Sequence, residues 1–425
     1  MTVLKEIPYS INAIKAHLVQ TEKFKTYSIV MMIEAPLEAD TVAGRALLPE
    51  VLQSTTAKTN QRAKFRQRLD DMYGAMLATD VQKKGENHVI SIRIDVANEK
   101  FLSEGTSLLQ EGISLLHEVI FEPNIENEQF KQEIVESEKR SLIQRIESVF
   151  DDKMRYANMR ITEEMCKDER YALTSFGTKE QVQAITPQSL YTAYQKMLAQ
   201  SRFNLYIVGD FEEASVKEIV EQTFANVNVS SQYQALETST PTEIKEKVVF
   251  DKQDVKQGKL HIGFRAHTTF ADPDYVAMKV CNGLFGGFSH SKLFINVREK
   301  ESLAYYAASR FESHKGLLMV MSGIEFSKYG RAVEIIKEQM DAMKAGDFSE
   351  AELEQTKAML INQLLESVDV ARGFVELSYH QVVSDHQRTV YDWIEEVKAV
   401  TKKQVVAAAK KIELDTIYFL KGKEE

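Results

Sequence analysis

Glu50 is the one acidic residue in a run, Leu47-Leu48-Pro49-Glu50-Val51, whose spacing is that of a zinc-binding helix. In a His-x-x-Glu-His motif, two imidazoles one helical turn apart hold Zn²⁺, and the glutamate between them acts as general base on the metal-bound water. Here the histidine positions are Leu47 and Val51, and Pro49 removes a helix hydrogen-bond donor. We therefore predict neither a metal site nor a catalytic residue on this run. A solvent-facing or capping role is expected for Glu50.

Other reactive residue types do not combine into a second site. Two histidine pairs have a six-residue spacing, which does not place both imidazoles on one helical face, and no carboxylate completes a known ligand set. A serine next to a histidine does not by itself bring a base within reach of the nucleophile. These pairs are His261 with His267, His380 with His386, and Ser289 with His290.

Two further residue types are expected to be structural. Gly283, Gly286 and Gly287 lack both the lysine of a phosphate-binding loop and the dinucleotide-binding spacing, so they predict a tight turn with close backbone packing. Cys166 and Cys281 belong to no paired-cysteine motif and predict buried thiols.

Composition excludes several classes of function. The 425 residues carry 53 Lys and Arg against 63 Asp and Glu, a net charge of −10, so no basic field exists to attract nucleic acid or anionic lipid. The first residues lack a basic segment followed by an apolar run, and no apolar stretch is long enough to span a membrane. We expect a cytoplasmic protein that binds neither nucleic acid nor membrane.

The predicted elements place the run at 47–51 on a helix. Two β-rich segments, 16–21 and 27–33, joined by a short polar stretch, indicate a hairpin. Asp40 or Thr41 is a suitable N-cap for the helix that follows. Thr186-Pro187 predicts a later helix start, because threonine caps and proline suits the first helical position.

The order of elements then repeats. Residues 226–247 are rich in Ser, Thr, Gln and Pro and predict a linker. A strand at 259–266 and a helix from about 276 follow it, and residues of the later helices match those of the first half at one constant offset, as Glu133-Ile134 matches Glu352-Leu353. We predict two similar α+β domains, 1–225 and 248–425, in a clamshell arrangement whose cleft is a preferred ligand site.

The most specific run in the sequence is 284–305. It contains Gly286-Gly287, Ser291-Lys292-Leu293-Phe294, Arg298-Glu299-Lys300 and Leu303-Ala304-Tyr305. It resembles the Gly-Gly, Ser-x-Leu-Phe, Arg-Glu-Lys and Leu-Ala-Tyr pattern of the insulinase (pitrilysin) family, which includes the mitochondrial processing peptidases. The resemblance implies two homologous α/β-roll domains, each an antiparallel-dominated sheet with packed helices. They would close around a chamber in which a zinc site cleaves unfolded peptides.

The resemblance also places residues 47–51 on the zinc motif of that family, with Gly44 and Ala46 matching its usual lead-in. The third ligand of the family is a glutamate on a later helix, and its position here is Gln144 or Arg145. Neither side chain can replace a carboxylate ligand. All three ligand positions have therefore changed type, and the resemblance implies a family member without the zinc-binding motif.

The substrate-binding pattern, in contrast, is intact. In two-subunit members of the family, one subunit supplies the metal site, and the other supplies an arginine and, seven residues on, a tyrosine that bind substrate; Arg298 and Tyr305 match that pair. A guanidinium can donate two hydrogen bonds to a peptide carbonyl, and a phenol can donate one to the oxyanion that forms on it. The residues alone also fit a surface ion pair of Arg298 with Glu299 or Glu301, and a core position for Tyr305.

Two hypotheses follow. In the first, the chain is the non-catalytic subunit of a heterodimeric zinc metallopeptidase, and a paralogous partner with an intact motif supplies the zinc. In the second, it is a peptide-binding or scaffold protein of the same fold, with a homodimer as its assembly and no enzymatic activity.

Overall fold

The computed structural model describes residues 5–102, 107–229, 232–234, 239, 241 and 243–423. The strands are β1 (Lys5–Ile11), β2 (Ile14–Gln20), β3 (Thr26–Pro36), β4 (Met76–Lys84), β5 (Asn87–Ala97), β6 (Ile125–Glu126), β7 (Gln129–Phe130), β8 (Arg202–Gly209), β9 (Lys247–Gln253), β10 (Gly258–Arg265), β11 (Ala304–Glu312), β12 (Leu317–Ile324) and β13 (Glu413–Gly422). The helices are α1 (Val42–Leu52), α2 (Arg62–Asp71), α3 (Leu108–Phe121), α4 (Gln132–Glu147), α5 (Lys153–Met165), α6 (Lys179–Ala184), α7 (Pro187–Gln200), α8 (Glu213–Phe224), α9 (Tyr275–Asn282), α10 (Tyr329–Ala345), α11 (Glu350–Ser367), α12 (Ala371–Ser384), α13 (Val390–Ala399) and α14 (Lys402–Lys410). Two π-helical segments, Gly283–Gly287 and Leu293–Lys300, lie between α9 and β11.

The chain divides into two compact units. Unit 1 comprises Met1–Glu147, Leu173–Glu237 and Ala371–Val375, and unit 2 comprises Ser148–Ala172, Thr238–Val370 and Glu376–Glu425. Each unit has its own apolar core. The fold is α+β, with antiparallel-dominated sheets and packed helices. The division at 225 and 248 stays a prediction, since unit 2 also includes a segment from the first half of the chain.

The sheet of unit 1 has six strands in the order β1-β2-β8-β3-β5-β4, and only the β2–β8 pair is parallel. The predicted hairpin of 16–21 with 27–33 is wrong, because β8 lies between β2 and β3 and pairs with both. The true hairpin is β1 with β2, from Lys5 opposite Gln20 to Ile11 opposite Ile14. β2 and β3 are both rich in buried apolar residues, which suit the middle of a sheet. Their sequences therefore do not show that β8, from far along the chain, lies between them.

The sheet of unit 2 repeats this arrangement. Its order is β9-β13-β10-β12-β11, and again one pair, β9 with β13, is parallel. The strands β9, β13, β10, β12 and β11 thus occupy the places of β2, β8, β3, β5 and β4. In the described part of unit 2, no strand takes the place that β1 has beside β2. The repeat predicted from the sequence is therefore present as a repeated topology with one strand of difference.

Helix α5 packs on the face of the unit 2 sheet opposite to the main core of that unit. Its Ile161 and Met165 approach Gly263 so closely that an added Cβ would lie 2.6 Å from the sulfur of Met165. On the opposite face, β10 contributes Leu260, Ile262 and Phe264 to the main core of the unit. Strand alternation accounts for this division between the two faces. Glycine at position 263 is what lets α5 lie directly on the sheet.

Local capping signals predicted two helix starts. Thr41 is the N-cap residue of α1, although its side chain makes no capping hydrogen bond. Thr186 caps α7 with a reciprocal capping box, and Pro187 occupies the first turn. No helix in the described ranges has the length and apolar content that crossing a bilayer requires.

Candidate functional site

The run at 47–51 lies on α1, which continues through Pro49 without interruption. Leu47 and Val51 are buried in the core of unit 1, facing the same side of the helix one turn apart. Burial on nearly every side of α1 holds the helix together despite the hydrogen bond that Pro49 cannot donate. The two residues that the resemblance aligns with the motif histidines are therefore core residues.

Glu50 points instead toward α4, where it meets one of the two positions proposed for the third ligand. A terminal nitrogen of Arg145 lies 2.9 Å from Glu50 Oε1, and the amide of Gln53 donates to Oε2 at 2.6 Å. The Glu50 side chain is only 14% exposed, so the expected solvent-facing or capping role is wrong. Its carboxylate joins α1 to the last turn of α4.

A second acidic residue, Glu138 of α4, lies close to this pair. It forms an ion pair with Arg62 of α2. Burial raises the pKa of Glu138, and the negative charge of Glu50 raises it further, against the opposing effect of Arg62. The region between α1, α2 and α4 thus holds two carboxylates and two guanidinium groups that neutralise one another.

These residues do not fit a zinc ion. Leu47 and Val51 have no donor atoms, and the guanidinium of Arg145 is a fixed positive charge beside the only remaining carboxylate of the motif. Throughout the residues that the structure describes, no group of three or more His, Cys, Asp or Glu side chains is placed to hold a metal.

We predict that Glu50→Gln has a small effect. Glu50 is largely covered, but Arg145 is 47% exposed and water screens the pair from that side, so its loss should lower the free energy of unfolding by about 1 kcal/mol. Urea unfolding followed by circular dichroism measures the change. Gln53→Ala removes the other contact of the carboxylate and is the matched control. A loss of several kcal/mol would mean that Glu50 has a larger structural role.

Arg298 and Tyr305 lie in unit 2, on either side of a short connection. Arg298 is in the π-helical segment Leu293–Lys300, its guanidinium 4.6 Å from the ring centre of Phe294 and 3.6 Å from the carboxylate of Glu299. A backbone hydrogen bond of 3.0 Å from Leu303 to Val297 closes the connection. That bond brings the backbone next to Arg298 close to the backbone two residues before Tyr305.

Tyr305 is exposed because of a bulge. The pairing of β11 with β12 shifts between Ala304 and Tyr306, so Tyr305 has no partner residue in the register. An extra residue of this kind bends the strand and redirects its side chain. Tyr305 is 66% exposed, and its hydroxyl makes no hydrogen bond within the part of the chain described. It is not the core aromatic that the residues alone also allowed.

Comparison with known proteins relates this arrangement to one family. The chain is 47% identical over 425 residues to the "Probable inactive metalloprotease YmfF" of Bacillus subtilis (strain 168), covering all of this chain and 99% of that protein. The chain belongs to the M16 (insulinase/pitrilysin) peptidase family. A family description, "Peptidase M16 inactive domain", matches residues 184–360.

Two solved structures share the fold over nearly the whole chain. A conserved protein from Enterococcus faecalis V583 has a TM-score of 0.90 and 31% identity, with 99% of each chain covered. A peptidase M16 inactive domain from Pseudomonas fluorescens has a TM-score of 0.81 and 18% identity, with 99% and 98% covered. Within the M16 family, this chain is a non-catalytic member, a pseudo-peptidase.

The remaining candidates have structural environments. His261 is fully buried in β10, where burial and the charge of Lys259 lower its pKa to about 3. His267 lies 3.4 Å from Glu413, and His290 bonds to Thr356 rather than to Ser289. Gly286 packs against Ser309 so closely that an added Cβ would lie 2.6 Å from the serine hydroxyl, in agreement with the predicted close packing. It lies in a π-helical segment, however, and not in the predicted tight turn. Both cysteines are buried free thiols.

One anchored residue was not predicted from the sequence. Tyr233, in the polar segment expected to be a linker, donates to Glu34 at 2.9 Å, and Arg202 lies 4.8 Å above its ring. Glu34 is fully buried and also accepts a hydrogen bond of 2.7 Å from Arg202. An aromatic residue in an otherwise polar stretch was the only available signal. This contact anchors residues 232–234 to unit 1.

A cavity of about 1010 Å³ lies beside this anchor, within unit 1. It is bordered by the start of α1, by α7 and by residues 232–234. Gly44 and Arg45 line it, but Leu47, Glu50 and Val51 do not. The lead-in to the former zinc motif therefore borders a space that is separate from the motif itself.

Proposed function

We propose that this chain is the non-catalytic subunit of a heterodimeric zinc metallopeptidase. A paralogous subunit with an intact His-x-x-Glu-His motif would supply zinc and general base, and this chain would bind the peptide through Arg298 and Tyr305. The observation that carries the proposal is the contrast between the two sites. The former ligand positions Leu47 and Val51 are buried in apolar surroundings, whereas the matched substrate pair is exposed in unit 2.

The contacts of Arg298 support a binding role. Its ion pair with Glu299 is 3.6 Å long, and both partners are about half exposed, at 42% and 57%. Exposed pairs of this kind contribute about 0.2–1 kcal/mol, so the guanidinium can exchange this contact for a substrate carbonyl at little cost. The ring of Phe294 beneath it limits its orientation. Arg298 is thus available and partly preorganised.

The position of Tyr305 supports the same role. It lies on β11, an edge strand of the unit 2 sheet. A phenol that emerges from a bulge, with no partner among the described residues, can donate to an oxyanion when a substrate is held next to it. The proposal includes the predicted domain division, the clamshell arrangement and a cytoplasmic location.

The second candidate is a peptide-binding or scaffold protein without an enzymatic partner. The edge position of β11 favours it, because an extended peptide can add through main-chain hydrogen bonds to the regular part of this edge, Tyr306 to Glu312, beyond the bulge at Tyr305. In that case the chain would bind unfolded peptides alone, and Arg298 would affect affinity rather than turnover.

Peptide hydrolysis by three samples tests the proposal. The samples are this chain, an M16 paralogue from the same genome with an intact motif, and their mixture, each assayed on a set of unfolded peptides. We expect hydrolysis in the mixture that exceeds the sum of the separate samples, because the split site is complete only there. Equal activity of the paralogue with and without this chain would reject the heterodimer. Peptide binding by this chain alone would then favour the scaffold.

A further inference from the structure

The outer edge of β9 has no neighbour in the described part of unit 2. In unit 1, β1 covers the corresponding edge of β2 with seven antiparallel residue pairs. No backbone hydrogen bond from the described residues reaches the outer side of β9. The repeated topology therefore presents, in unit 2, an open place of the kind that a strand fills in unit 1.

The lack of a neighbour exposes apolar side chains. Val248 and Phe250 are 47% and 49% exposed, although they lie on the face that the core helices cover, where the ring of Phe250 is 5.4 Å from that of Tyr329. Their counterpart strand β2, which β1 covers, has its central apolar residues Leu18 and Val19 fully buried. The margin of the unit 2 core thus ends in solvent at β9.

The other three sheet edges carry protection against pairing. Proline interrupts the donors of β1 at Pro8, a bulge at Tyr305 distorts β11, and Asp80 of β4 bonds to Arg372. Edge strands of natural proteins commonly use such devices to avoid association. β9 contains neither a proline nor a bulge, and the charged residues Lys247, Asp251 and Lys252 flank its apolar run Val248-Val249-Phe250. A regular edge with an apolar run and flanking charges of both signs indicates a strand that can pair.

The sequence of β9 is complementary to itself in one antiparallel register. Centred on Val249, the pairing sets Val248 opposite Phe250 of the second copy, twice, on the core face. On the α5 face it sets Lys247 opposite Asp251. Within the described residues, the contacts of Asp251 with Arg160, Tyr156 and Tyr418 are all to Oδ2, which leaves Oδ1 as an acceptor. Apolar residues meet apolar ones, and opposite charges meet.

We propose that two copies of this chain form a homodimer through antiparallel pairing of their β9 strands, centred on Val249. The interface is isologous, since each strand presents the same residues to the other about a twofold axis. The two five-stranded sheets become one continuous ten-stranded sheet. The pairing leaves β11, at the opposite edge, uninvolved, so it does not depend on the proposed function and is compatible with either candidate.

Two charge variants of the full chain test the interface and its register. Val248→Glu with Phe250→Glu places like charges opposite each other across the Val249-centred pair. Val248→Lys with Phe250→Glu changes the same two exposed positions but places opposite charges there. Sedimentation velocity over a range of concentrations, with circular dichroism as the check of folding, measures the mass of each.

We expect the wild-type chain at twice its mass of 48.5 kDa, the double-glutamate variant at the single mass, and the lysine–glutamate variant restored toward twice that mass. A monomeric wild-type chain, or a double-glutamate variant that remains dimeric, would overturn the proposal. Failure of the opposite-charge variant to recover would also overturn it, since the Val249-centred register requires recovery. Peptide hydrolysis has no part in this readout, so its outcome is distinct from that of the proposed function.

Discussion

Replacing Arg298 with alanine is expected to lower peptide turnover by the mixture of this chain and its zinc-bearing paralogue by about tenfold to a hundredfold, or about 1.4–2.7 kcal/mol. A charge-assisted hydrogen bond from the guanidinium to the substrate would be lost, and alanine offers no replacement. The kcat and KM of the mixture measure the effect. Because Arg298 is 42% exposed and its ion pair is long, folding of either chain should not change.

Arg310→Ala is the matched control. Arg310 lies on β11, five residues along the strand from Tyr305, is 75% exposed, and forms an equally loose ion pair of 3.7 Å with Glu312. It should leave turnover unchanged, which would separate a role of Arg298 from a general effect of positive charge on this surface. Turnover that falls equally in both variants, or in neither, would contradict the role assigned to Arg298.

Replacing Arg265 with methionine is expected to destabilise unit 2 by about 3–5 kcal/mol. The buried guanidinium donates to Glu169 at 2.7 Å, to Asp415 at 2.8 Å and to the carbonyl of Met165 at 2.6 Å. Methionine fills similar volume but leaves two buried carboxylates without this cation. Urea unfolding measured by the fluorescence of Trp393, the single tryptophan, reports on unit 2 directly, since Trp393 lies in its core.

Arg310→Met is the control for stability, with an expected change below about 1 kcal/mol for an exposed pair.

The pH dependence of stability gives a second test of the buried Arg265 cluster. Burial alone raises the pKa of Glu169, but hydrogen bonds from Arg265 and Lys315 outweigh it and hold that pKa below its ordinary 4.5. A lowered folded-state pKa contributes stability above pH 4.5 that is lost as the pH falls through the folded value. In Arg265→Met the loss of unfolding free energy below pH 4.5 should be smaller than in the wild-type chain. An unchanged loss at acid pH would contradict the role of Arg265 in lowering the pKa of Glu169.

Local sequence signals predicted much of the fold. The capping sequence at Thr186 and Pro187 predicted the start of α7, and the constant offset between helices predicted a repeat that the two sheets share. The pairing of β2 was mispredicted because its neighbour β8 begins at Arg202, far along the chain. No periodicity within 16–33 contains that information, since strand neighbours at long range are selected by packing of the whole sheet.

For the candidate site, the sequence predicted the types of residue present but not the contacts that they make. The residue types at 47, 51 and 145 indicated the loss of a zinc site, but not that Arg145 would pair with Glu50, because that contact depends on how α1 meets α4. The sequence allowed Tyr305 to be either a core aromatic or an exposed substrate-binding residue. A single-residue bulge in β11 makes it exposed, and the sequence did not reveal that bulge. Tyr233 stood in a polar segment whose composition indicated a linker, and only the buried Glu34 explains its anchoring.

In this M16 member, Glu50 pairs with Arg145, and Leu47 and Val51 offer no donor atoms to a zinc ion. The most direct test is the zinc content of the full-length chain after equilibration with excess Zn²⁺ and removal of the unbound ion, measured by plasma mass spectrometry beside the intact-motif paralogue. We predict one zinc ion per paralogue chain and only trace zinc in this chain. One tightly held zinc ion per molecule of this chain would contradict the account, because Leu47, Val51 and Arg145 provide no ligands for it.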